Sequence, residues 1–423
     1  MTRKITILAL GSRGDVQPLL ALGLRLKAHG YQVCVATHGL FEGLVRSLGL
    51  EFFFVQVNPR EALDSQAGQA ALAYGLNPLR SYLHFTNMVK QVMMQAGADC
   101  LRACQSTEAV LFSTMASYFA PHIGEKFSIP IIAAPLQPLH PTRAFPSWFS
   151  PVQWNLGGAF NRFTYFLTYQ ITWLPYRSIV NQWRVEYLSL PPISIRKNYS
   201  RKLLKQKGLV IYGISPTILP KPADWGDNIE ITGYWFLNRP ADWQPPCDLV
   251  DFLSDGPPPV YFGFGSVSGF KVERVMSKVL EAISITRCRA ILATGWGGLS
   301  QSDLPAHVYK VEFIPHDWLF PHLAAAVHHG GAGTTAASLR AGIPTIIVPF
   351  YLDMPFWGRR VADLGVGPEP VQGRKLSAEH LAAVITHVLR NEEMRKRAAM
   401  VGSRIRNEDG LTRAVEAIDR YLS

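Results

Sequence analysis

The sequence lacks any run of about 18 or more apolar residues, the length that a membrane-crossing helix needs. Its N-terminus, MTRKITILAL, carries two basic residues, but the apolar run behind them is short and stops at Gly11. This pattern is typical of a first β-strand and not of a signal peptide. We therefore expect a cytoplasmic protein without a transmembrane segment.

Cysteine and charge are also scarce. The five cysteines are scattered, and the close pair Cys100 and Cys104 has no matching pair, which favours reduced buried thiols over structural zinc. Charged residues make up 17% of the chain and hydrophobic residues 48%, which excludes a disordered chain. The length of 423 residues is expected to hold two domains.

Acidic residues are outnumbered, 31 against 42 basic ones, and the net charge is +11. Part of the excess lies in RKNYSRKLLKQK, residues 196–207, which contains no acid. One interpretation is a solvated surface segment, and the other is peripheral contact with an anionic membrane, worth about 1 kcal/mol per basic residue. Nucleic acid is not expected as a partner, because no recognition motif accompanies the charge.

Three signatures of phosphate or metal binding are missing. No Gly-Lys-Ser/Thr follows a glycine-rich turn, and strand 4–10 continues as GSRGDVQP instead of Gly-x-Gly-x-x-Gly. No Asp-x-Asp pair occurs that would hold a divalent cation against a diphosphate. The adjacent His328 and His329 have no further ligands at useful spacing, so no metal site is predicted.

What the sequence does contain is an alternation of β-branched runs and helical patterns, which predicts parallel sheets covered by helices. PLLALGLRLKAHG (18–30) is expected to be the first helix, with Pro18 in its first turn. The strand-like runs include KITILAL (4–10), YQVCVAT (31–37), EFFFV (51–55), AVLF (109–112), IPIIAAP (129–135), PVYFGFG (259–265), RAILAT, VYKVEFI and TIIVPF.

The predicted fold class is α/β, with two doubly wound, Rossmann-like parallel-sheet domains and a crevice expected between their strand ends. The first domain is expected over residues 1–236 and the second over 259–423, with the last helix as a candidate to pack back on the first domain. Proline-rich stretches mark 237–258 as a linker. Aromatic residues crowd 145–190, where they form either a helical core or the surface of an apolar acceptor cavity or membrane contact.

A glycine-dense turn, HHGGAGTTAAS (328–338), separates a short buried strand from a helix. Backbone N–H groups at such a helix start lie at the positive end of the dipole and favour an anion. A second strand-to-helix turn, GFGSVSG (263–269), places Ser266 to reach the same anion. Together the turns favour a metal-free enzyme that stabilises a nucleoside diphosphate leaving group.

Three motifs resemble the sterol glucosyltransferase branch of the family 1 glycosyltransferases. They are GSRGDVQPLLALGLRL (11–26), VEFIPHDWLF (311–320) and HHGGAGTTAASLRAGIPTIIVPFYLDMPFWGRRV (328–361). The resemblance implies the GT-B fold, with the acceptor in the N-terminal domain and the nucleotide sugar in the C-terminal domain. It implies no cofactor, only UDP-glucose or another nucleotide sugar as co-substrate.

The resemblance also implies residue roles. Asp15 would be the catalytic general base, with Ser12 and Arg13 facing the donor across the cleft. Phe313 and Ile314 would flank a uracil base, with His316 beside it. The residues implied to hold the diphosphate are Ser266, His329, Gly331, Gly333, Thr334 and Thr335.

Two interpretations of Asp15 compete. Asp is a favoured N-cap before a helix, and a helix N-terminus lowers a carboxyl pKa, which makes a poorer base. An apolar acceptor pocket would raise the pKa of Asp15 instead. We expect Asp15 to take the acceptor hydroxyl proton as the sugar–phosphate bond breaks, giving inversion at the anomeric carbon.

The chain departs from the family pattern at Asp353-Met354, where relatives have Asp-Gln. Asp353 is implied to accept hydrogen bonds from sugar hydroxyls, but the Met354 thioether has no proton to donate. Losing such a contact costs about 1–3 kcal/mol. The expected consequences are weaker glucose binding, a different or deoxygenated hexose, or sugar contacts supplied from elsewhere.

The predicted function is therefore transfer of a hexose, with glucose from UDP-glucose first, to a lipophilic alcohol such as a sterol. One alternative keeps the fold and changes the acceptor to a polyketide or other secondary metabolite. Another is a non-catalytic protein that binds nucleotide sugars or lipids.

Overall fold

The computed structural model describes residues 3–56, 78–194, 208–264, 270–293, 304–350, 352–373 and 376–423. It divides into two compact units, one of Met1–Leu237 with Asp409–Ser423 and the other of Asn238–Glu408. Within the described ranges, no helix has the length and apolar character needed to cross a bilayer.

A seven-stranded parallel sheet forms the first unit, in the order β3-β2-β1-β4-β5-β6-β7. Its strands are β1 (Lys4–Leu8), β2 (Gln32–Thr37), β3 (Glu51–Phe54), β4 (Ala109–Phe112), β5 (Ile131–Ala133), β6 (Leu209–Tyr212) and β7 (Ile229–Ile231). Its first five helices are α1 (Arg13–Ala28), α2 (Glu42–Ser47), α3 (Pro78–Ala103), α4 (Ala120–Phe127) and α5 (Gly158–Leu188).

The centre of this sheet is apolar on both faces. Every residue of β4 is buried, and so are four of the five residues of β1, as expected for parallel strands covered by helices on each side. The strand order reverses between β1 and β4, whose register pairs Leu8 with Phe112. Connections that leave two such strands in opposite directions open a crevice at their carboxyl ends.

The second unit repeats this plan with five parallel strands in the order β10-β9-β8-β11-β12. They are β8 (Val260–Gly263), β9 (Ala290–Ala293), β10 (Val308–Val311), β11 (Ala325–His328) and β12 (Thr345–Ile347). Its helices are α6 (Cys247–Ser254), α7 (Phe270–Thr286), α8 (His316–Leu319), α9 (Ala332–Ala341), α10 (Met354–Asp363), α11 (Ala378–Arg390) and α12 (Glu392–Arg406). The order reverses between β8 and β11, which places a second switch point after Gly263 and His328.

The last helix, α13 (Gly410–Leu422), belongs to the first unit although it follows the second in sequence. Ile418 and Leu422 join the apolar core that surrounds β1. The Arg25 guanidinium of α1 donates to the Thr412 hydroxyl at 2.6 Å. The first unit is therefore assembled from both ends of the chain.

The α/β fold with two doubly wound parallel sheets is confirmed, but some elements differ from their predicted bounds. Helix α1 begins at Arg13, so the prediction that Pro18 lies in its first turn is wrong. Ser12 and Asp15 form the start of the helix, and their mutual hydrogen bonds fix it there. Strands β6 and β7 were not predicted, and α6 lies within the stretch predicted as a linker.

Helix α5 occupies most of the aromatic stretch 145–190, and its inward side chains form part of the core, as in the first of the two predicted roles. Tyr165 and Trp183 are 1% exposed and pack inward. On the other side Phe163 is 53% exposed and Ile171 58%. The basic stretch 196–207 lies outside the described residues.

Candidate active site

The turn from β1 into α1 is built around the Asp15 carboxylate. Its Oδ2 accepts from the Ser12 backbone N–H and from the Ser12 hydroxyl, both at 2.8 Å. Gly11 has φ +135°, and a Cβ there would lie 2.6 Å from the same oxygen. Glycine is therefore required for the conformation and for the space, because the carboxylate fills the position of the missing side chain.

The other side of this turn is held by His38, which follows β2. The Gly11 N–H donates to His38 Nε2 at 3.1 Å. A backbone N–H only donates, so Nε2 is unprotonated and the imidazole is neutral with its proton on Nδ1. This buried histidine orients the turn and was not singled out from the sequence.

Two further polar residues approach Asp15 from neighbouring strand ends. Gln137 follows β5 and hydrogen-bonds to the Asp15 carboxylate. Thr114 follows β4, and its hydroxyl donates to Gln137 Oε1 at 2.9 Å. Sequence reasoning missed both residues, although polar side chains just beyond the buried runs AVLF and IPIIAAP were the available signal.

Burial raises the pKa of the Asp15 carboxyl, and hydrogen bonds from Ser12 and Gln137 partly oppose that shift. Both influences on the Asp15 pKa that the sequence suggests are therefore present. The increase caused by desolvation exceeds the decrease caused by the donors at the helix start. A carboxylate with a raised pKa is a stronger proton acceptor once it is ionised, which suits a general base. Ser12 and Arg13 lie beside it as exposed residues of the same turn.

Exposed apolar side chains also lie at this edge of the sheet. Leu40, Phe54 and Met115 follow or end the strands β2, β3 and β4, and they are 64%, 53% and 54% exposed. The Tyr118 hydroxyl donates to the Thr172 carbonyl at 2.9 Å, so the middle of α5 lies against the turn after β4. This edge of the sheet therefore combines a buried carboxyl group with exposed apolar surface.

In the second unit, β11 leads through Gly330 and Gly331 into α9. Gly330 has φ +90°, and a Cβ there would lie 2.6 Å from Ile347 Cγ2 and 3.2 Å from the Met354 carbonyl oxygen. The turn is therefore pressed against the end of β12 and the start of α10. The N–H groups of Ala332, Gly333 and Thr334 open the helix and have no acceptor within it, an arrangement that is suited to an anion.

The threonines of this turn differ in orientation. Thr335 is buried, and its hydroxyl donates to the Gly331 carbonyl at 3.0 Å. In this arrangement the Thr335 hydroxyl proton is already used within the turn. Thr334 is half-buried and precedes it by one residue, so it presents a different side of the helix.

The two histidines of the turn are both neutral. His328 is fully buried and accepts from the Gly330 N–H through Nδ1 at 3.0 Å. Burial lowers the pKa of His329 to about 4, although a hydrogen bond with the Gly263 backbone opposes that shift. The buried His329 Nδ1 has no hydrogen-bond partner among the described residues, which leaves it for a ligand.

A group of aromatic residues follows β10. His316 stacks on Phe320 with ring centroids 4.3 Å apart, and its Nε2 lies 3.4 Å from the Tyr261 hydroxyl. Phe313 is 58% exposed and Ile314 is half-buried. A fixed imidazole beside an exposed ring is suited to a planar base, which gains from aromatic stacking. The sequence does not identify Tyr261, on β8, as a neighbour of this group.

Asp353 and Met354 start α10 just beyond β12. Asp353 Oδ2 accepts from the Trp357 indole N–H at 2.9 Å, which fixes the carboxylate. The preceding Leu352 has φ +55°, an uncommon conformation for a residue with a side chain, and it is 52% exposed. Met354 is only 7% exposed, so its side chain belongs to the interior of the unit.

The structure thus brings the predicted site residues into two groups. Ser12, Arg13 and Asp15 share one turn of the first unit. Ser266 lies outside the described residues. The second unit holds the others at the carboxyl ends of its strands, namely Phe313, Ile314, His316, His329, Gly331, Gly333, Thr334, Thr335, Asp353 and Met354.

Two protein-family models match separate parts of this chain. Residues 5–146 match the glycosyltransferase family 28 N-terminal domain, and residues 291–412 match the erythromycin biosynthesis protein CIII-like C-terminal domain. The crystal structure of the calicheamicin glycosyltransferase CalG4 superposes with a TM-score of 0.72 at 18% identity, covering 100% of this chain and 98% of that one. The glycosyltransferase VinC in complex with dTDP gives 0.66 at 16% identity, covering 99% of each chain.

Among full-length sequences, a sterol 3-beta-glucosyltransferase of Arabidopsis thaliana is 35% identical, covering 99% of this chain and 68% of that protein. One of Aspergillus fumigatus is 37% identical over 99% of this chain, which spans only 30% of that fungal protein. Two doubly wound parallel sheets with these sequence matches define a GT-B glycosyltransferase. Within that class, the chain belongs to the family of the sterol 3-beta-glucosyltransferases.

Proposed function

We propose that this protein is an inverting, metal-independent glycosyltransferase that moves a hexose from a nucleotide sugar to the hydroxyl of a lipophilic alcohol such as a sterol. UDP-glucose is the first candidate for the donor. The observation that carries the proposal is the start of α9, where N–H groups without an acceptor inside the helix and the neutral His329 follow β11. That combination is suited to a diphosphate.

In the proposed mechanism, one group of residues removes a proton and the other stabilises the leaving group. The ionised Asp15 takes the proton of the acceptor hydroxyl while the hydroxyl oxygen forms a bond to the anomeric carbon. The bond from that carbon to the phosphate oxygen breaks, and its electron pair leaves with the nucleoside diphosphate. The N–H groups that open α9 and the His329 side chain stabilise the new negative charge. Attack opposite to the leaving group inverts the anomeric configuration.

A lipophilic acceptor is supported by the exposed apolar side chains near Asp15. Leu40, Phe54 and Met115 offer a surface that a fused-ring alcohol would cover. Burying such a surface contributes roughly 25 cal/mol per Å² of apolar area. The exposed side of α5, with Phe163 and Ile171, supports peripheral contact with a membrane, from which such an acceptor would be taken.

The donor sugar is held by Asp353 in this proposal, with Met354 offering no polar contact. Because Met354 is buried, sugar contacts that a glutamine would make must come from elsewhere or be absent. We therefore expect modest discrimination between UDP-glucose and UDP-sugars altered at the hydroxyls that face this position. Comparing donor affinities across such UDP-sugars checks this expectation.

The proposal is tested by incubating the protein with UDP-glucose and a sterol in detergent micelles, and measuring UDP release and the glycosylated product. We expect a β-linked sterol glucoside that still forms in the presence of a chelator. Asp15→Asn should lower turnover about 10²–10⁴-fold while UDP-glucose still binds. Activity that disappears with the chelator and returns with Mg²⁺ would overturn the metal-independent mechanism.

A secondary-metabolite acceptor is the second candidate, favoured by the match of residues 291–412 to the erythromycin biosynthesis protein CIII-like domain. The same assay with soluble polyphenols or macrolide aglycones distinguishes it. Transfer to those acceptors with none to sterols would replace the first proposal by this one. If UDP-glucose binds but is neither transferred nor hydrolysed, the protein is a binding protein and both proposals fail.

A further inference from the structure

The residues around Asp15 follow three neighbouring strands of the sheet. The register pairs Leu8 of β1 with Phe112 of β4, and Phe112 with Ala133 of β5. The segments that follow these strands therefore leave the sheet side by side. The buried Ser113 joins the first two, because its Oγ accepts from the Leu10 N–H at 3.1 Å and donates to the Leu10 carbonyl at 2.9 Å.

Within this frame, the hydrogen bond from Thr114 orients the amide of Gln137. The Thr114 hydroxyl donates to Gln137 Oε1 at 2.9 Å, so the carbonyl side of the amide is turned toward Thr114. The amino side is then directed to Asp15, with which Gln137 is hydrogen-bonded. The reverse orientation would place two acceptor oxygens against each other at Asp15.

We propose that Gln137 is a positioning residue, oriented by Thr114, that holds the Asp15 carboxylate in the geometry required to accept the acceptor's proton. Two donors from Ser12 already occupy Oδ2. The Gln137 amide adds a third donor from another strand, so the carboxylate is restrained from both the helix and the sheet. The inference rests on the proposed function, since it takes Asp15 to be the general base.

A positioning role predicts effects that a purely structural role does not. Removing a donor to the carboxylate disfavours its ionised form and raises its pKa further. Below that pKa the carboxyl keeps its own proton and cannot take another. Loss of the Gln137 amide should therefore shift the acid limb of the kcat/KM profile to higher pH.

The test compares Gln137→Leu, Thr114→Val and Thr114→Ser with the unchanged protein. We expect Gln137→Leu to lower kcat about 10–100-fold and to shift the acid limb upward by about one pH unit, with the KM for the nucleotide sugar little changed. Thr114→Val should shift the limb in the same direction by less. Thr114→Ser keeps the hydroxyl and should restore most of what Thr114→Val loses.

Gln153→Leu is the matched control, because within the described part of the chain the Gln153 amide donates to backbone carbonyls, among them those of Ser147 and Ser150. It should change thermal stability without moving the acid limb. A second readout is independent of turnover: the pKa of Asp15, measured by carbon-13 NMR of labelled carboxyls and assigned with Asp15→Asn. That pKa should rise in Gln137→Leu and stay constant in Gln153→Leu.

The outcomes separate this inference from the proposed function. If Asp15→Asn abolishes transfer but Gln137→Leu moves neither the acid limb nor the Asp15 pKa, the positioning role is wrong and Asp15 remains the base. Full activity in Asp15→Asn would instead remove the general-base assignment, and the positioning role with it. A failure of Thr114→Ser to recover activity would overturn the part assigned to Thr114.

Discussion

At the scale of single residues, Asp15 combines a structural role with the proton transfer that we propose for it. It closes the first turn of α1 by accepting from the Ser12 N–H, which is the work of a capping residue. Its raised pKa means that burial disfavours the charge that this capping role would favour. Ionising Asp15 in the folded protein therefore costs stability, and perturbed pKa values of this kind cluster at functional sites.

Gly11 gives the first residue-scale prediction. Gly11→Ala should lower kcat strongly, because the new Cβ would lie 2.6 Å from Asp15 Oδ2 and must displace the carboxylate. The backbone at φ +135° adds a strain of about 1–2 kcal/mol. Steady-state kinetics and thermal unfolding measure the two effects separately.

Gly14→Ala is the matched control three residues away. A Cβ at Gly14 meets only the Ser12 hydroxyl oxygen at 3.7 Å, and alanine is favoured over glycine within a helix by roughly 0.5–1 kcal/mol. It should stabilise the protein slightly and leave Asp15 in place. If both variants lose activity equally, Gly11 is not specifically required for placing the carboxylate.

At the scale of elements, the sequence was most informative where a strand runs directly into a helix. The turn after β11 was predicted with its glycines, because hydrophobic runs on both sides fix its place. The predicted start of α1 is too late, because proline favours the first turn of a helix, whereas Ser12 and Asp15 close that turn before Pro18. Gln137 and Thr114 could not be assigned, because their proximity to Asp15 depends on the strand order of the sheet.

The turn before α9 gives the element-scale prediction. Gly331 has ordinary φ, but a Cβ there would lie 2.5 Å from His329 Nε2, so Gly331→Ala should displace the imidazole. Loss of a hydrogen bond to a charged phosphate costs about 1.5–3 kcal/mol, which corresponds to roughly 10–150-fold weaker binding. Calorimetric titration with UDP measures the change.

The double variant Gly331→Ala/His329→Ala shows whether the substitution at Gly331 acts through the imidazole or through the backbone. If the substitution at Gly331 acts through the imidazole, the double variant should bind UDP no more weakly than His329→Ala alone. Additive losses would show instead that the backbone of the turn itself is disturbed. Because the pKa of His329 is lowered to about 4, none of these affinities should vary through His329 ionisation between pH 6 and 8.

At the scale of the whole molecule, the chain order does not follow the order of the units. The first unit takes its last helix, α13, from the C-terminus, and the second unit is formed entirely by the chain between. The strongly amphipathic pattern of α13 indicates a helix with one buried face, but not which sheet it packs against. Its polar contacts show that it packs on the first unit, since Arg420 pairs with Glu230 at 2.9 Å and Tyr31 hydrogen-bonds to Asp419 at 2.5 Å.

This arrangement predicts that a defect in α13 weakens the first unit and spares the nucleotide site proposed in the second. Ile418 is fully buried in the core around β1, so Ile418→Ala should reduce the unfolding free energy of that unit by about 2–5 kcal/mol. Glu416→Ala, on the exposed side of the same helix, should change it by about 0.5 kcal/mol or less. Denaturant unfolding followed by tryptophan fluorescence measures both, and titration with UDP should give one dissociation constant for all three proteins. A weaker UDP affinity in Ile418→Ala alone would mean that the diphosphate site depends on the packing of α13, contrary to its assignment to the turn between β11 and α9.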